Sequence, residues 1–484
     1  MRARCDAGGA SAPDESTVGR AGRRPHPAHR GRASRRARRQ GCVFLGEPGA
    51  VEDGRAARRP GRCAARILTS APGRHPYVHD HEEEGPMATI RRVRPILLSA
   101  PCGEPGSSME NILHLPGGVR TAGFVEITLS DGTVGIGEGY LAVFAPQVFR
   151  SIVELLEPIL VGAESEPLGS RIRDLVTATG YWSLQGAARH VISAIEIALQ
   201  DCAARSAGVP LWRFLGGASD RPLRAYASGG DSRTPQAMRA EIEQVSQLGI
   251  DVFKIRARGT RTDKVRWTQV AAAEKGVGIA IDMTQNLVVP SQTVEDVLRF
   301  VRQLGAESEA VPVFLEEVLG PDQIHRLPEL RARTDIPIAG GEIVTTEAEL
   351  CDRVRAGAYD IVQPDATVIG GVGPVLDVFA AAREMATEVY VHCWGAGVGV
   401  LANYHAASAG GGEVVEWPLP RFGLRAELLR GVVTVEDGLV SLGEKPGLGI
   451  ELTAEIEQEF PFREDAVYSC LVDSTIAEDG WAPV

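Results

Sequence analysis

Five residues that can bind metal or move protons stand at the ends of five successive predicted strands in the second half of this chain. They are Asp282, Glu316, Glu342, Asp365 and His392, and neighbouring members are separated by 23 to 34 residues. Each one closes a short apolar, β-branched run, and a segment of helical periodicity follows it. Strand and helix repeating in this order predict an α/β fold with a (β/α) barrel. Because the carboxyl ends of parallel barrel strands converge on one face, we expect these five residues to share one site.

The first three of the five strand ends carry the carboxylates Asp282, Glu316 and Glu342. Hard oxygen ligands without Cys or His suit Mg²⁺, which keeps some coordination positions for water or substrate oxygen. Any one of these acids alone is compatible with a helix N-cap or a loop ion pair, but three in consecutive units favour a metal site. We assign ligation to Glu316 because it shares a strand face with Phe314, which should fill the barrel interior. An exchange of roles with the adjacent Glu317 stays open.

The last two strand ends, Asp365 and His392, predict a proton-transfer pair on adjacent strands. A carboxylate behind an imidazole fixes its tautomer and stabilises its protonated form, which makes a base or acid that works near neutral pH. A lone His on a strand is more often a hydrogen-bonded core residue. The Asp at the neighbouring strand end favours the catalytic interpretation.

Two cations stand two residues apart on the second predicted barrel strand, Lys254 and Arg256, so both side chains point to the same face. Charges directed into a barrel require anionic partners. Lys254 can stabilise developing negative charge, whereas Arg256 has a pKa too high for a base. Gln285 and Glu416 are candidates for positioning the substrate, with support of neighbouring side chains as the alternative.

The N-terminal residues 1–86 differ in composition from the rest of the chain. They contain 17 Arg and no Lys against 10 acidic residues, while the whole chain has a net charge of −12. The absence of sustained apolar periodicity favours a disordered extension or sequence upstream of a true start at Met87. The basic run at residues 34–39 leaves open a contact with nucleic acid or a targeting role, although we expect no nucleic-acid partner.

The remaining chain is predicted to form an N-terminal α+β capping domain, a barrel and a C-terminal segment that returns to the capping domain. Their boundaries are expected at residues 87–217, 218–430 and 431–484. An Asp131-Gly132 pair between alternating apolar runs predicts a hairpin in the first of these. No apolar run approaches the length of about 18 residues that a membrane span needs, so we expect a soluble, cytoplasmic protein.

Together these features resemble the enolase superfamily, and within it the mandelate racemase subgroup, over residues 90–460. The resemblance rests on the Asp-Gly hairpin, the strand-2 cations, the acids of the strand ends, the His392 strand and the segment PGLGIEL near the end. It implies a modified TIM barrel with an N-terminal cap and Mg²⁺ held by Asp282, Glu316 and Glu342. It also implies an Asp365–His392 base and a role for Glu416 in hydrogen bonding to the enolate.

One departure from the subgroup bears on the reaction. The second strand-2 lysine, which serves as an alternative base in the subgroup, is Arg256 in this chain. A racemase needs a base on each face of the α-carbon, whereas elimination of water needs one base and an acid. We therefore expect a Mg²⁺-dependent lyase, an acid-sugar dehydratase, whose specificity depends on loops at residues 102–112 and 140–147. An epimerase, racemase or cycloisomerase is the nearest alternative, and a non-catalytic binding barrel is a remote one. The resemblance also implies a homo-oligomer.

Overall fold

The computed structural model describes six stretches of the chain, residues 88–103, 118–218, 221–232, 234–257, 261–287 and 290–466. All of them belong to one unit that spans Ala71–Val484. The predicted extension of residues 1–86 lies outside the described residues, as does most of the loop predicted at residues 102–112. In the described stretches, no helix combines the length and the apolar character that crossing a membrane requires.

The first part of the described chain, residues 88–217, is an α+β region that we call the capping region. Its three strands form an antiparallel sheet in sequence order, β1 (Ile90–Pro101), β2 (Val119–Leu129) and β3 (Val134–Glu138). The predicted hairpin turn is present, because Asp131 Oδ1 accepts the N–H of Thr133 at 2.8 Å and Gly132 has a φ of 93°. Glycine adopts this left-handed conformation without steric cost.

Three helices pack against this sheet: α1 (Leu141–Phe144), α2 (Pro146–Leu160) and α4 (Ala187–Ser206). Helices α3 (Leu168–Thr179) and α5 (Leu211–Phe214) pack against α4. Helix α4 is buried along most of its length and lies against β3. Glycines in β3 permit this approach, since a Cβ on Gly137 would stand 1.8 Å from the carbonyl oxygen of Ala194. The sequence of β3 thus determines how closely the long helix packs.

A closed barrel of eight parallel strands follows the capping region. Its strands are β4 (Leu223–Gly229), β5 (Val252–Arg256), β6 (Gly278–Asp282), β7 (Leu315–Glu316), β8 (Ile338–Gly340), β9 (Ile361–Val362), β10 (Glu388–Val391) and β11 (Val414–Pro418). Strand β11 pairs with β4 and closes the barrel. The interior is filled by apolar side chains, including Phe314 and Tyr226, whose ring centroids lie 5.7 Å apart. This architecture confirms the predicted fold class.

Helices surround the barrel: α6 (Pro235–Gln247), α7 (Thr262–Ala273), α8 (Val294–Glu307), α9 (Leu327–Arg331), α10 (Glu347–Arg355), α11 (Val372–Met385), α12 (Val398–Gly410) and α13 (Gly423–Leu429). Two 3₁₀ turns occupy Gln285–Leu287 and Pro321–Arg326. The helices α11 and α12 begin directly after the loops that carry Asp365 and His392.

The C-terminal segment divides between the barrel and the capping region. A hairpin of β12 (Val433–Glu436) and β13 (Leu439–Leu442) pairs with β4 of the barrel, which differs from the predicted return of this segment to the capping domain. Beyond it lies α14 (Ala454–Glu459), where Glu457 forms an ion pair with Arg94 of β1 at 2.7 Å. The backbone N–H of Ser99 donates to the carbonyl of Phe460 at 3.2 Å.

Candidate active site

Strand β5 supplies two cations to the carboxylates that end the next two strands. Lys254 Nζ donates to Glu316 at 2.5 Å, and both side chains are almost completely buried. Arg256 Nε lies 3.5 Å from Asp282. The two cations reach the same face because they stand two residues apart on one strand. Glu317 has a different partner and accepts the N–H of Gly341 at 2.7 Å.

Burial and mutual repulsion raise the pKa values of two carboxylates in this cluster, Glu316 and Asp282. Burial raises the pKa of Glu316 to about 8, and the neighbouring Asp282 and Glu342 add to that effect although Lys254 opposes it. Burial and the charge of Glu342 also raise the pKa of Asp282, against the opposing effect of Lys254 and Arg256. Like charges in a low-dielectric site favour protonation or a bound cation.

The predicted pair of Asp365 and His392 is assembled in the structure. His392 Nδ1 lies 2.8 Å from Asp365 Oδ2, and its Nε2 lies 3.2 Å from Glu342. The other oxygen of Asp365 accepts the N–H of Thr367 at 2.8 Å and the side-chain amide of Asn403 at 2.9 Å. Asp365 is therefore held on both sides, and it orients the imidazole ring.

The carboxylates around His392 determine its charge. Burial alone would lower the pKa of His392, but the charges of Glu342, Glu416 and Asp365 raise it to about 10. These carboxylates therefore favour the protonated form of the imidazole in this arrangement. Movement of Glu342 away from Nε2 would remove the first of these charges and make the nitrogen more available as a base.

Glu416, in the middle of β11, lies 2.8 Å from Lys254. It also accepts the N–H of Cys393 at 2.7 Å and the indole N–H of Trp394 at 3.2 Å. Burial alone would raise the pKa of Glu416, but Lys254 and His392 hold it at about 2. Lys254 is thus buried between two carboxylates, and the loop after His392 is attached to the same group.

Arg256 is held as a fixed cation at the edge of the site. Its Nη1 donates to Asp231 at 3.1 Å, and its guanidinium carbon lies 5.0 Å from the centroid of the Trp394 ring. These contacts and its high intrinsic pKa make proton abstraction by this side chain unfavourable.

The donor set of Asp282, Glu316 and Glu342 fits a hard divalent cation. In the described part of the chain, no three acidic, His or Cys side chains stand in coordinating positions. The three carboxylates instead contact Lys254, Arg256 and His392. Beside Glu342, the buried amide oxygen of Asn286 lacks a hydrogen-bond partner, while its nitrogen donates to Glu342 at 3.1 Å. Three oxygen donors and a further unsatisfied oxygen match the ligand preference of Mg²⁺.

The contacts of Gln285 favour a role in supporting neighbouring residues over the alternative role of positioning the substrate. Its side-chain nitrogen donates to the carbonyl of Met283 at 3.0 Å, and its oxygen accepts the N–H of Gln292 at 2.7 Å. Both ends of the amide therefore stabilise the loop after β6.

Three side chains of the site did not emerge from the sequence. Gln363 donates to Glu316 at 2.6 Å, Asp231 holds Arg256, and Asn403 holds Asp365. The period of two offered a signal for Gln363, which stands two residues before Asp365. Asn403 lies within a helix, where its sequence position gave no indication of its partner.

Models of two domains of one enzyme family match the chain. The Enolase C-terminal domain-like model matches residues 237–456, and the mandelate racemase / muconate lactonizing enzyme N-terminal domain matches residues 116–216. These matches cover seven of the eight barrel strands, β5 to β11, and most of the capping region.

Individual proteins of known name are similar to this chain at sequence identities of 22% to 26%. Arabinonate dehydratase of Saccharolobus solfataricus is 26% identical, and the match covers 69% of this chain and 89% of that protein. D-galactarolactone cycloisomerase of Agrobacterium fabrum is also 26% identical, with 69% and 90% covered. The solved structure of L-talarate/galactarate dehydratase from Salmonella typhimurium, liganded with Mg, superposes with a TM-score of 0.65 at 22% identity and covers 78% of this chain and 94% of that one. On these grounds, the chain belongs to the mandelate racemase / muconate lactonizing enzyme family of the enolase superfamily.

Proposed function

We propose that this protein is a Mg²⁺-dependent dehydratase of sugar acids. The observation that carries the proposal is a single imidazole, His392, held by Asp365 next to a cluster of three carboxylates. The similarity to arabinonate dehydratase supports dehydration as the reaction class. The substrate would be a small carboxylic acid with hydroxyl groups on both its α-carbon and its β-carbon.

His392 would act as the base. Its Nε2 takes the α-proton of the substrate, while Asp365 stabilises the imidazolium that forms. Mg²⁺ held by Asp282, Glu316 and Glu342 would supply positive charge beside the substrate carboxylate. Lys254, buried beside this cluster, adds a second positive charge for the enediolate.

Elimination follows from the same imidazole. Protonated His392 returns its proton to the departing β-hydroxyl, the carbon–oxygen bond breaks, and water leaves. The resulting enol rearranges to a 2-keto acid. Glu416 would position the enolate together with Lys254, while Arg256 serves as a fixed cation rather than as a second base. We assign Gln285 to support of the loop after β6.

An isomerase that uses the same first step is the second candidate. Similarity to D-galactarolactone cycloisomerase favours it. A racemase or epimerase is less compatible with the site, because Arg256 stands where the mandelate racemase subgroup has its second lysine base, and it is engaged by Asp231 and Asp282.

A panel of sugar acids assayed in deuterated water distinguishes these reactions. We expect Mg²⁺-dependent formation of a 2-keto acid by the wild type. H392N should lose turnover while keeping stabilisation by Mg²⁺, because a folded-state ligand raises apparent stability whether or not chemistry occurs. Exchange of the α-proton without a 2-keto product would contradict dehydration, and turnover by H392N would remove His392 from its role.

We also propose a homo-oligomer, as the resemblance implies, and, as a separate proposal, a cytoplasmic location. Light scattering after size-exclusion chromatography tests the first part, and a monomer would contradict it. Fractionation of the source cells tests the second, and recovery outside the cytoplasmic fraction would contradict it.

A further inference from the structure

A buried carboxylate of the capping region holds the loop that follows His392. Glu138, the last residue of β3, accepts the backbone N–H groups of Ala396 and Gly399, each at 2.7 Å. Glu138 is 2% exposed. Backbone N–H groups at the start of a buried helix need such an acceptor, because no carbonyl of the helix reaches them.

The loop has little freedom around this contact. A Cβ on Gly395 or on Gly399 would lie 3.1 Å or 3.2 Å from an oxygen of Glu138. The side chain of Arg120, also in the capping region, donates to the carbonyl of Trp394 at 2.6 Å. The capping region therefore fixes both ends of the loop at residues 394–399.

Helix α12 connects the contact between Glu138 and Gly399 to Asp365, the carboxylate that pairs with His392. Gly399 belongs to the first turn of α12, and Asn403 lies one turn later on that helix. Asn403 donates to Asp365 at 2.9 Å and accepts the N–H of Ala366 at 2.8 Å. Glu138 thus fixes the start of a helix whose next turn holds Asp365, while the loop before that helix carries His392.

We propose that Glu138 is a positioning residue for the His392–Asp365 base, through which the capping region sets the geometry of proton abstraction. The proposal rests on the function proposed above for His392. Glu138 acts through Ala396, Gly399 and the helix that follows them. Loss of one acceptor bond would let the imidazole and its carboxylate move relative to the substrate.

The chain contains a matched control for this role. Glu196 of α4 is also completely buried, and it accepts the N–H groups of Val372 and Gly373 at 2.8 Å and 3.1 Å. These two amides begin α11, whereas the loop that follows His392 leads into α12. A Gln at either position removes the negative charge and one acceptor, while the side-chain shape is retained.

The experiment compares E138Q, E196Q and H392N as full-length protein with Mg²⁺. We expect E138Q to lower kcat about 10-fold to 100-fold, because small misplacements of a catalytic group cost up to about two orders of magnitude. Its KM and its stabilisation by Mg²⁺ should change little, and the pH profile of kcat should shift. E196Q should lose about as much thermal stability as E138Q does, but its kcat should stay within about twofold of the wild-type value.

Two outcomes separate this inference from the proposed function. If E138Q loses stability like E196Q but retains the wild-type kcat and pH profile while H392N is inactive, Glu138 is a structural residue and only this inference is overturned. If H392N retains turnover, the proposed base itself is overturned. Should E138Q fail to fold, E138D keeps the charge but is too short to reach both amides, and we expect the same selective loss of kcat from it; a wild-type kcat in folded E138D would refute the inference.

Discussion

A substitution of Lys254 tests directly how burial changes the contribution of an ion pair to the free energy of unfolding. The change is K254M, which removes the ammonium group and keeps a similar volume. In the structure Lys254 Nζ lies 2.5 Å from Glu316 and 2.8 Å from Glu416, and both carboxylates have 0% side-chain exposure. Because the pKa of Glu316 is raised to about 8, Glu416 is the ionised partner near pH 7, and without Lys254 it loses a buried cation where water cannot replace it.

The expected loss follows from that geometry. Removing one partner of a buried ion pair costs about 3–5 kcal/mol, because the remaining charge is left uncompensated. The exposed pair of Lys275 and Glu243 has almost the same separation, 2.6 Å, with side chains 44% and 47% exposed. K275M should barely change the free energy of unfolding, because solvent screens that pair.

The stability difference between wild type and K254M should depend on pH, and the pKa of Glu416 gives the direction of that dependence. The pKa of Glu416 is held at about 2 against burial by Lys254 and His392. A depressed carboxyl pKa stabilises the folded state above the unfolded value of about 4.5, and that contribution is lost as the pH falls toward 2. The difference between wild type and K254M should therefore be smaller at about pH 4 than at about pH 7.

Denaturant unfolding of wild type, K254M and K275M, without added metal, measures these differences. Equal slopes with denaturant are needed for the comparison, since they show that the same surface is exposed. Equal losses for the two Lys variants, or a K254M protein as stable as the wild type, would refute the argument from burial.

Three further predictions concern the metal, the buried acids and the packing. Mg²⁺ at about 100 times its dissociation constant should stabilise the wild type by about 2.7 kcal/mol, whereas E316Q should show a much smaller shift in thermal unfolding; equal shifts would contradict ligation. Burial raises the pKa of Glu196 to about 7, so the wild type should lose about 3 kcal/mol relative to E196Q as the pH rises from about 4.5 to 7, and parallel pH curves would contradict this. G137A should destabilise the protein by at least 1–3 kcal/mol, roughly the cost of overpacking, because its Cβ would meet Ala194. In contrast, G305A lies within α8 with open space around it and should gain up to about 1 kcal/mol in urea unfolding; the opposite order would contradict the packing argument.

Local periodicity was enough to predict the strand ends that form the site. Lys254 and Arg256 reach one face because strands alternate, and Asp365 meets His392 because their strands are neighbours. Even β7, only two residues long, was located through the acid that ends it. These predictions depend on a repeating unit, which short-range sequence patterns describe well.

Long-range pairings were not predictable in the same way. Glu138 lies in a strand that the hairpin signal indicated, but its acceptor role involves Ala396, which is 258 residues later in the chain. The attachment of β13 to β4 likewise depends on a distant edge, although an Asp437-Gly438 pair marks its hairpin. Such partners are chosen by tertiary packing, which one-dimensional periodicity does not encode.

A crystal structure with bound Mg²⁺ tests the central claim most directly. We predict one ion with carboxylate oxygens of Asp282, Glu316 and Glu342 at about 2.1 Å, and Glu342 turned away from His392 Nε2. The absence of an ion between these acids at saturating Mg²⁺, with Glu342 still paired to His392, would contradict the account.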